Sequence, residues 1–318
     1  MSKINESKSE RLQKVEDLEN KLCKSSVPSG MNIYKWAKKN PDTSIAHALG
    51  RIEKIFDKAD EVVFGFSSGK DSTLSAELAI LELKRRRSRV DAGINRNGEN
   101  KIDPLDEKWK NKKLWGNHMH SEWVWTDAIK HTNDFVKRHG PKGGDVINFF
   151  YKCLRLGWQS GVTFGDSRLI SWDPKQEDMW IVPMPDEKDL GIDIITHDSI
   201  LTANPVPLDS LSPEMQEMRK AEGSIIEVDG VKMVPNYGLG NRPLSIKGYE
   251  NIPFRAWYFE NMAEDYEQET FGRWMLKQFP KGTQIYNLVS LRASESFDRY
   301  TILKQSDYST GEYASQKL

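Results

Sequence analysis

The sequence predicts an α/β fold, a parallel β-sheet flanked by helices, and three adjacent features carry that prediction. Residues 62–66, Val-Val-Phe-Gly-Phe, form an apolar run of strand length. A tight polar loop follows at residues 67–71. Residues 72–83 then set Leu74, Leu78 and Leu81 along one side of a helix. Strand, loop and helix in that order open a βαβ unit, and such units build parallel sheets.

The remaining elements follow in chain order. Residues 1–30 are charged and weakly periodic, and they end at Pro28 and Gly30; they read as a mobile or helical arm. Residues 33–37 begin the main domain of the chain, taken as 31–195. Ile45, Leu49, Ile52 and Phe56 fall at helical spacing before the first strand. An insertion is expected near 86–112, where residues 91–112 are rich in Asn, Gly, Asp and Lys and read as exposed. Residues 114–120 read as a second strand and 123–138 as a helix ending near Gly140. Residues 141–185 alternate turns with aromatic side chains, an irregular Trp-rich subdomain. Residues 196–253 form a further insertion, with a hairpin at 224–234 turning on Asp229-Gly230. Residues 254–318 complete the domain, with a helix at 254–279 and a strand at 284–291.

Composition narrows the class. Hydrophobic residues make up 37% and charged residues 29%, polar for an enzyme yet not the signature of disorder. There is no apolar run of membrane length and no secretory start, so a cytoplasmic protein without a membrane partner is expected. A net charge of -1 gives no global attraction to nucleic acid. The local basic run Lys84-Arg-Arg-Arg-Ser-Arg89 reads as a solvated helix end, with a phosphate or nucleic-acid contact as the alternative. Two cysteines, Cys23 and Cys153, form no CxxC pair, which excludes a thiolate-built zinc site or iron–sulfur cluster.

The chemistry concentrates in Ser67-Ser-Gly-Lys-Asp-Ser72. A phosphate needs several donors at close range. Small residues let backbone N–H groups approach it, and the next helix adds its N-terminal dipole. Ser67, Ser68 and Ser72 bring hydroxyls, Gly69 and Thr73 complete the cradle, and Lys70 brings a point charge. Asp71 either caps the helix or holds a Mg²⁺ ion that bridges phosphate oxygens. The spacing is not that of a Walker A loop.

These residues resemble the PP-loop, SGGKDS, of N-type ATP pyrophosphatases and of adenylylsulfate and phosphoadenylylsulfate reductases. Ser68 is the departure, standing where that superfamily has glycine. A non-glycine residue is disfavoured there if the backbone needs positive φ. The Trp- and Pro-rich segment Ser171-Trp-Asp-Pro-Lys-Gln-Glu-Asp-Met-Trp-Ile-Val-Pro-Met-Pro185 is similar to a signature of the IbrA-like branch. Ser290-Leu-Arg-Ala-Ser-Glu-Ser-Phe-Asp-Arg299 resembles the GIRxxESxxR motif. The resemblance spans roughly residues 45–300. It implies a Rossmann-like, adenine nucleotide alpha hydrolase-like fold, with the loop at the C-terminal end of the first core strand.

Several residues take expected roles from it. Arg292 and Arg299 are candidates for phosphate or sulfate contacts, because guanidinium forks onto tetrahedral anions, and Glu295 would orient one of them. The other reading of that segment is a surface helix with an internal ion pair. His118, His120 and Glu122 share a face at strand spacing. They read either as a metal site or, for Glu122, as a contact to ribose or magnesium at the nucleotide edge. Cys153 lies in a stretch similar to the superfamily's tyrosine- and cysteine-containing helix, and a lone cysteine there reads as packing. Trp158, Trp172 and Trp180 read as core or lid, with stacking on adenine as the alternative.

The implied activity is cleavage of ATP at the α-phosphorus, with Mg²⁺, to adenylate an acceptor. Lys70, Asp71, Arg292 and Arg299 would carry the catalysis. Two alternatives stay open. One is a phosphoadenylylsulfate reductase-like enzyme, although the superfamily's C-terminal ECGxH cysteine has no counterpart in residues 301–318. The other is a nucleotide-binding regulator acting with a ParB-like, DNA-associated partner.

Overall fold

The computed structural model describes residues 7–122, 124–154, 156–158, 169–172, 174–196, 205–213, 216–217, 220, 225–235, 278–280 and 282–289. The expected helix at 254–279 lies almost wholly outside them. In chain order the elements are α1 (Lys8–Ser26), α2 (Ile33–Lys39), α3 (Ser44–Lys58), β1 (Glu61–Gly65), α4 (Lys70–Asp91), α5 (Pro104–Glu107), β2 (Leu114–Met119) and α6 (Thr126–His139). Then come β3 (Ile147–Cys153), β4 (Leu156–Trp158), β5 (Leu169–Ser171), α7 (Glu187–Leu190), β6 (Asp193–Thr196), β7 (Pro205–Pro207), β8 (Ile226–Val228), β9 (Val231–Pro235) and β10 (Ile285–Leu288).

Five strands make one sheet in the order β10-β1-β2-β3-β6. β1 runs parallel to β10, with Val62 opposite Tyr286, and parallel to β2, with Val63 opposite Trp115. β3 runs parallel to β6, with Tyr151 opposite Ile194. The chain steps outward from β1 through β2, β3 and β6, then returns with β10 on the other side of β1. The direction of strand order therefore reverses beside β1. The result is an α/β fold with a five-stranded parallel sheet and flanking helices, as the sequence predicts.

By contacts the chain divides into two compact units, residues 1–117, 131–149 and 282–318 in one, and residues 118–130 and 150–281 in the other. In the first unit Val62, Val63, Phe64 and Phe66 are buried. Each such side chain contributes roughly 1.5–3 kcal/mol relative to exposure. Phe66 stacks on Phe135 of α6, with ring centroids 4.3 Å apart. A Cβ on Gly116 of β2 would fall 2.5 Å from the Phe149 ring and 2.6 Å from that of Phe64, so the strands pack here only around a glycine. α1 starts with a Ser7–Glu10 capping box and buries Val15, Leu22 and Cys23.

Three expectations change. The run 84–89 is not a solvated helix end. α4 continues to Asp91, and Arg86 and Arg89 are among its most buried side chains. Arg86 donates to Glu82 (2.8 Å), Asp57 (2.7 Å) and the carbonyls of Glu53 and Leu105 (3.0 Å each). Arg89 clasps fully buried Asp106 with two bonds, at 2.6 and 2.8 Å. Burying a guanidinium is tolerable only with such pairing, even though Arg89 Nη1 finds no partner among the described residues.

Residues 91–112, expected as an exposed insertion, are bolted to α3 and α4. Trp109 is fully buried and donates its indole N–H to the Phe56 carbonyl at 2.9 Å. Lys108 Nζ donates to the carbonyls of Asp57 and Ala59, which end α3. Gly98, at φ 75°, lies so close to α1 that a Cβ would reach 2.0 Å from the Arg11 carbonyl oxygen. Polar composition is misleading here because the polar groups serve as anchors.

The segment around Cys153, matched to a helix, is the strand β3. Phe149, Phe150, Tyr151 and Cys153 are all buried. A parallel strand covered on both faces loses its alternation and reads as a continuous apolar run, which hides its period.

In the second unit β8 and β9 form the expected hairpin, with Val228 opposite Val231 and both Asp229 (φ 51°) and Gly230 (φ 77°) left-handed. Two left-handed central residues are the signature of a tight hairpin turn.

Candidate functional site

The predicted loop sits where the strand order reverses. Phe66 N–H donates to the Asn117 carbonyl at 2.8 Å and extends the β1–β2 pairing by one residue. The chain then turns through Ser67, Ser68 and Gly69 into α4, whose N-cap is Gly69. Ser67, Ser68, Gly69, Lys70, Asp71, Ser72 and Thr73 are thus gathered at the C-terminal end of β1 and the N-terminus of a 22-residue helix. Open α/β sheets place their ligands at this kind of position, and a helix N-terminus favours anions. Lys70 and Ser67 are exposed, while Ser72 is buried.

Ser68 has a φ of 64°. The turn therefore does demand the left-handed conformation, in which a residue with a side chain carries a strain of roughly 1–2 kcal/mol. Its hydroxyl lies 2.5 Å from Oγ1 of Thr132, a fully buried residue of α6. A compensating hydrogen bond thus accompanies the serine.

The hydroxyl protons can be traced. Ser72 Oγ lies 3.0 Å from the Gly69 carbonyl and 3.0 Å from Ser67 Oγ, and it accepts the Ser67 N–H at 3.2 Å. A carbonyl only accepts, so Ser72 gives its proton to Gly69, and Ser67 gives its own to Ser72. Thr73 Oγ1 likewise donates to the Gly69 carbonyl at 2.9 Å. His131 Nε2 stands 3.0 Å from Thr73 Oγ1 and must be the donor in that pair. Gly69 N–H lies 3.4 Å from Ser67 Oγ. In this arrangement the protons of Ser67, Ser72 and Thr73 hold the loop closed. Exposed Ser67 is the one of the three placed to redirect its proton to a ligand.

The other expected site residues fall differently. Arg292, Glu295 and Arg299 lie outside the described residues; in sequence, Arg292 comes four positions after Leu288, the last residue of β10. Glu122 belongs to the second unit and is 1% exposed. Its carboxylate accepts the backbone N–H of Trp172 at 2.7 Å and of Ile181 at 3.0 Å, one on each oxygen. That makes Glu122 a strut for the Trp-rich segment, a role different from the nucleotide-edge contact expected of it. Buried carboxylates need such partners, and main-chain donors supply them.

His118 and His120 pack edge-on to each other and to Tyr151. Burial, reinforced by His118, lowers the His120 pKa to about 4, and its Nδ1 has no hydrogen-bond partner. Among the described residues no three His, Cys, Asp or Glu side chains converge as a metal site, so the metal reading of His118, His120 and Glu122 gains no support. Trp172 is buried at φ 53°, with its indole N–H on the His120 carbonyl and its ring 5.1 Å from that of Trp180. Both rings are therefore engaged in packing. Cys153 and Cys23 are buried, and burial pushes both thiols up, Cys153 strongly.

His131 and Thr132 were not anticipated as site residues. The only signal for them was a polar pair on the helix face that also buries Phe135, Val136 and His139. No helix of the described residues is long and apolar enough to cross a membrane. Comparison with family models, curated proteins and solved structures returns no match.

Proposed function

We propose that this chain is a PP-loop nucleotide protein of adenine nucleotide alpha hydrolase-like fold, which binds ATP through residues 67–73 and cleaves it at the α-phosphorus to adenylate an acceptor. The observation that carries the reading is the loop itself. A small-residue turn with a left-handed second residue joins the C-terminal end of β1 to the N-terminus of α4, beside the reversal in strand order. Backbone N–H groups and the helix dipole favour the phosphates there, and exposed Lys70 adds the point charge. The carboxylate of Asp71, in the first turn of α4, is proposed as the hard oxygen donor for Mg²⁺. A bound Mg²⁺ would neutralise charge on the phosphates. Arg292 and Arg299, following β10 in sequence, are proposed as the further cations, oriented by Glu295.

Reduction of phosphoadenylylsulfate ranks below this reading. Thiol chemistry needs an accessible thiolate, and both cysteines are buried with raised pKa values. The test is calorimetric titration of the chain with Mg²⁺ against ATP, a non-hydrolysable ATP analogue and phosphoadenylylsulfate, beside Lys70→Ala. ATP binding that is lost in Lys70→Ala supports the reading, and release of pyrophosphate with an acceptor completes it. Binding without turnover favours the regulator that works with a ParB-like partner. Failure to bind any of the three ligands overturns the proposal.

A further inference from the structure

The loop is held from the side as well as from within. Two consecutive residues of α6, His131 and Thr132, reach its two halves. Thr132 meets Ser68 at the left-handed corner, and His131 meets Thr73 in the first turn of α4. The His131 ring also stacks on Phe66, centroids 5.8 Å apart and 25° between planes, and Phe66 stacks in turn on Phe135. The end of β1, the turn and the start of α4 are therefore each touched by one face of α6.

The proton trace gives this clasp a direction. Because the Thr73 proton goes to the Gly69 carbonyl, His131 must present a protonated Nε2. The Gly69 carbonyl is the hub: it accepts from Ser72 Oγ, Thr73 Oγ1 and the Thr73 N–H. Fixing Thr73 from outside fixes the hub, and the hub fixes the hydroxyls that shape the cradle. At the other half, the Ser68–Thr132 bond holds a residue that its own backbone strain would otherwise release.

We infer that His131 and Thr132 are positioning residues of the phosphate loop, keeping it in its anion-binding shape before any ligand arrives. The inference rests on the nucleotide reading for its meaning but not for its geometry. Preorganisation of this kind raises affinity by removing the ordering that binding would otherwise require.

Four variants separate hydrogen bonding from packing. His131→Phe keeps a ring on Phe66 and removes the donor, whereas His131→Gln restores an N–H donor without the ring. Thr132→Val keeps the shape and removes the hydroxyl, whereas Thr132→Ser keeps the hydroxyl. Hydrogen exchange of the Ser67, Gly69 and Thr73 amides is measured without ligand, Mg²⁺–ATP affinity by calorimetry, and thermal unfolding as a control. Loop exchange is expected to speed up about fivefold or more, and affinity to fall about tenfold, in the Phe and Val variants, at one hydrogen bond each. The Gln and Ser variants should return to within about twofold on both readouts. Unchanged loop exchange in the Phe and Val variants overturns the inference. So does equal loss in all four accompanied by a matching fall in global stability, which would mark α6 as packing alone. If the unaltered chain binds no adenine nucleotide, the nucleotide reading fails and the exchange measurement by itself decides whether α6 braces the loop.

Discussion

The two ends of α4 use polar side chains in opposite ways. At the front, Gly69–Thr73 closes a loop of hydroxyls and backbone groups and leaves the Lys70 cation exposed. At the rear, Arg85, Arg86 and Arg89 are buried against Glu19, Glu82, Asp57 and Asp106. The rear cations are spent on structure: apart from the bonds to Glu82 within α4, their ion pairs hold α4 to α1, α3 and α5. Among the described residues no acid pairs with the front cation, and its exposure leaves the charge accessible to a ligand. A basic run in sequence and a single lysine in a loop thus carry opposite meanings, decided by the carboxylates the fold brings to them.

The largest expected effect lies at the rear. Asp106→Asn leaves the Arg89 guanidinium buried without its bidentate partner and removes charge beside Arg86, 3.5 Å away. Breaking such a pair from one side costs about 3–5 kcal/mol. Urea unfolding should show that loss, with the Mg²⁺–ATP affinity of the molecules that remain folded unchanged. Loss of binding at full stability would erase the contrast between the two ends. Next comes Lys70→Ala at the front. One charged hydrogen bond is worth about 1.5–3 kcal/mol, so ATP affinity should fall about 10- to 150-fold. Stability should move by no more than about 0.5 kcal/mol, because the side chain is exposed.

The front end was legible because its information is local. Small hydroxylated residues between an apolar strand and a helix define a tight strand-to-helix turn from Ser67 to Thr73 alone. The rear was illegible because, Glu82 apart, the acids that pair with the arginines come from three other stretches of chain: Glu19 from α1, Asp57 from α3 and Asp106 from α5. The same reason hid His131 and Thr132, which meet the loop only after β2 and α6 have folded beside it. It hid β3 as well, where burial on both faces removed the alternation that marks a strand. Glu122 was legible as an important acid, but its bonds to the Trp172 and Ile181 main chain were not, since no side-chain pattern announces backbone N–H partners.

Smaller effects sharpen the comparison within the loop. Ser68→Ala keeps a side chain at φ 64° and loses the bond to Thr132, whereas Ser68→Gly loses the same bond and relieves the backbone. The glycine variant should therefore be the more stable of the two by about 1 kcal/mol, a difference readable as a shift in thermal midpoint. Equal stabilities would mean that the turn is not strained.

The smallest effect is the response of the rear network to acid. Burial tends to raise the Asp57 pKa, but the bonds and charges of Arg96 and Arg86 outweigh it, and the net shift is downward from the ordinary 3.8. A carboxylate with a lowered folded-state pKa binds fewer protons folded than unfolded. Its contribution is complete above the unfolded value and disappears as pH falls through the folded one. Stability should therefore decline below about pH 4 in part through Asp57, and Asp57→Asn should flatten that part of the profile. Asp57 is partly exposed, with 27% of its side chain in contact with solvent, so screening keeps its share small. Urea midpoints measured from pH 6 to pH 3 in both proteins decide the point. Parallel profiles would show that Asp57 gains nothing from its two arginines, and that its bonds to them hold the rear of α4 without making it sensitive to acid.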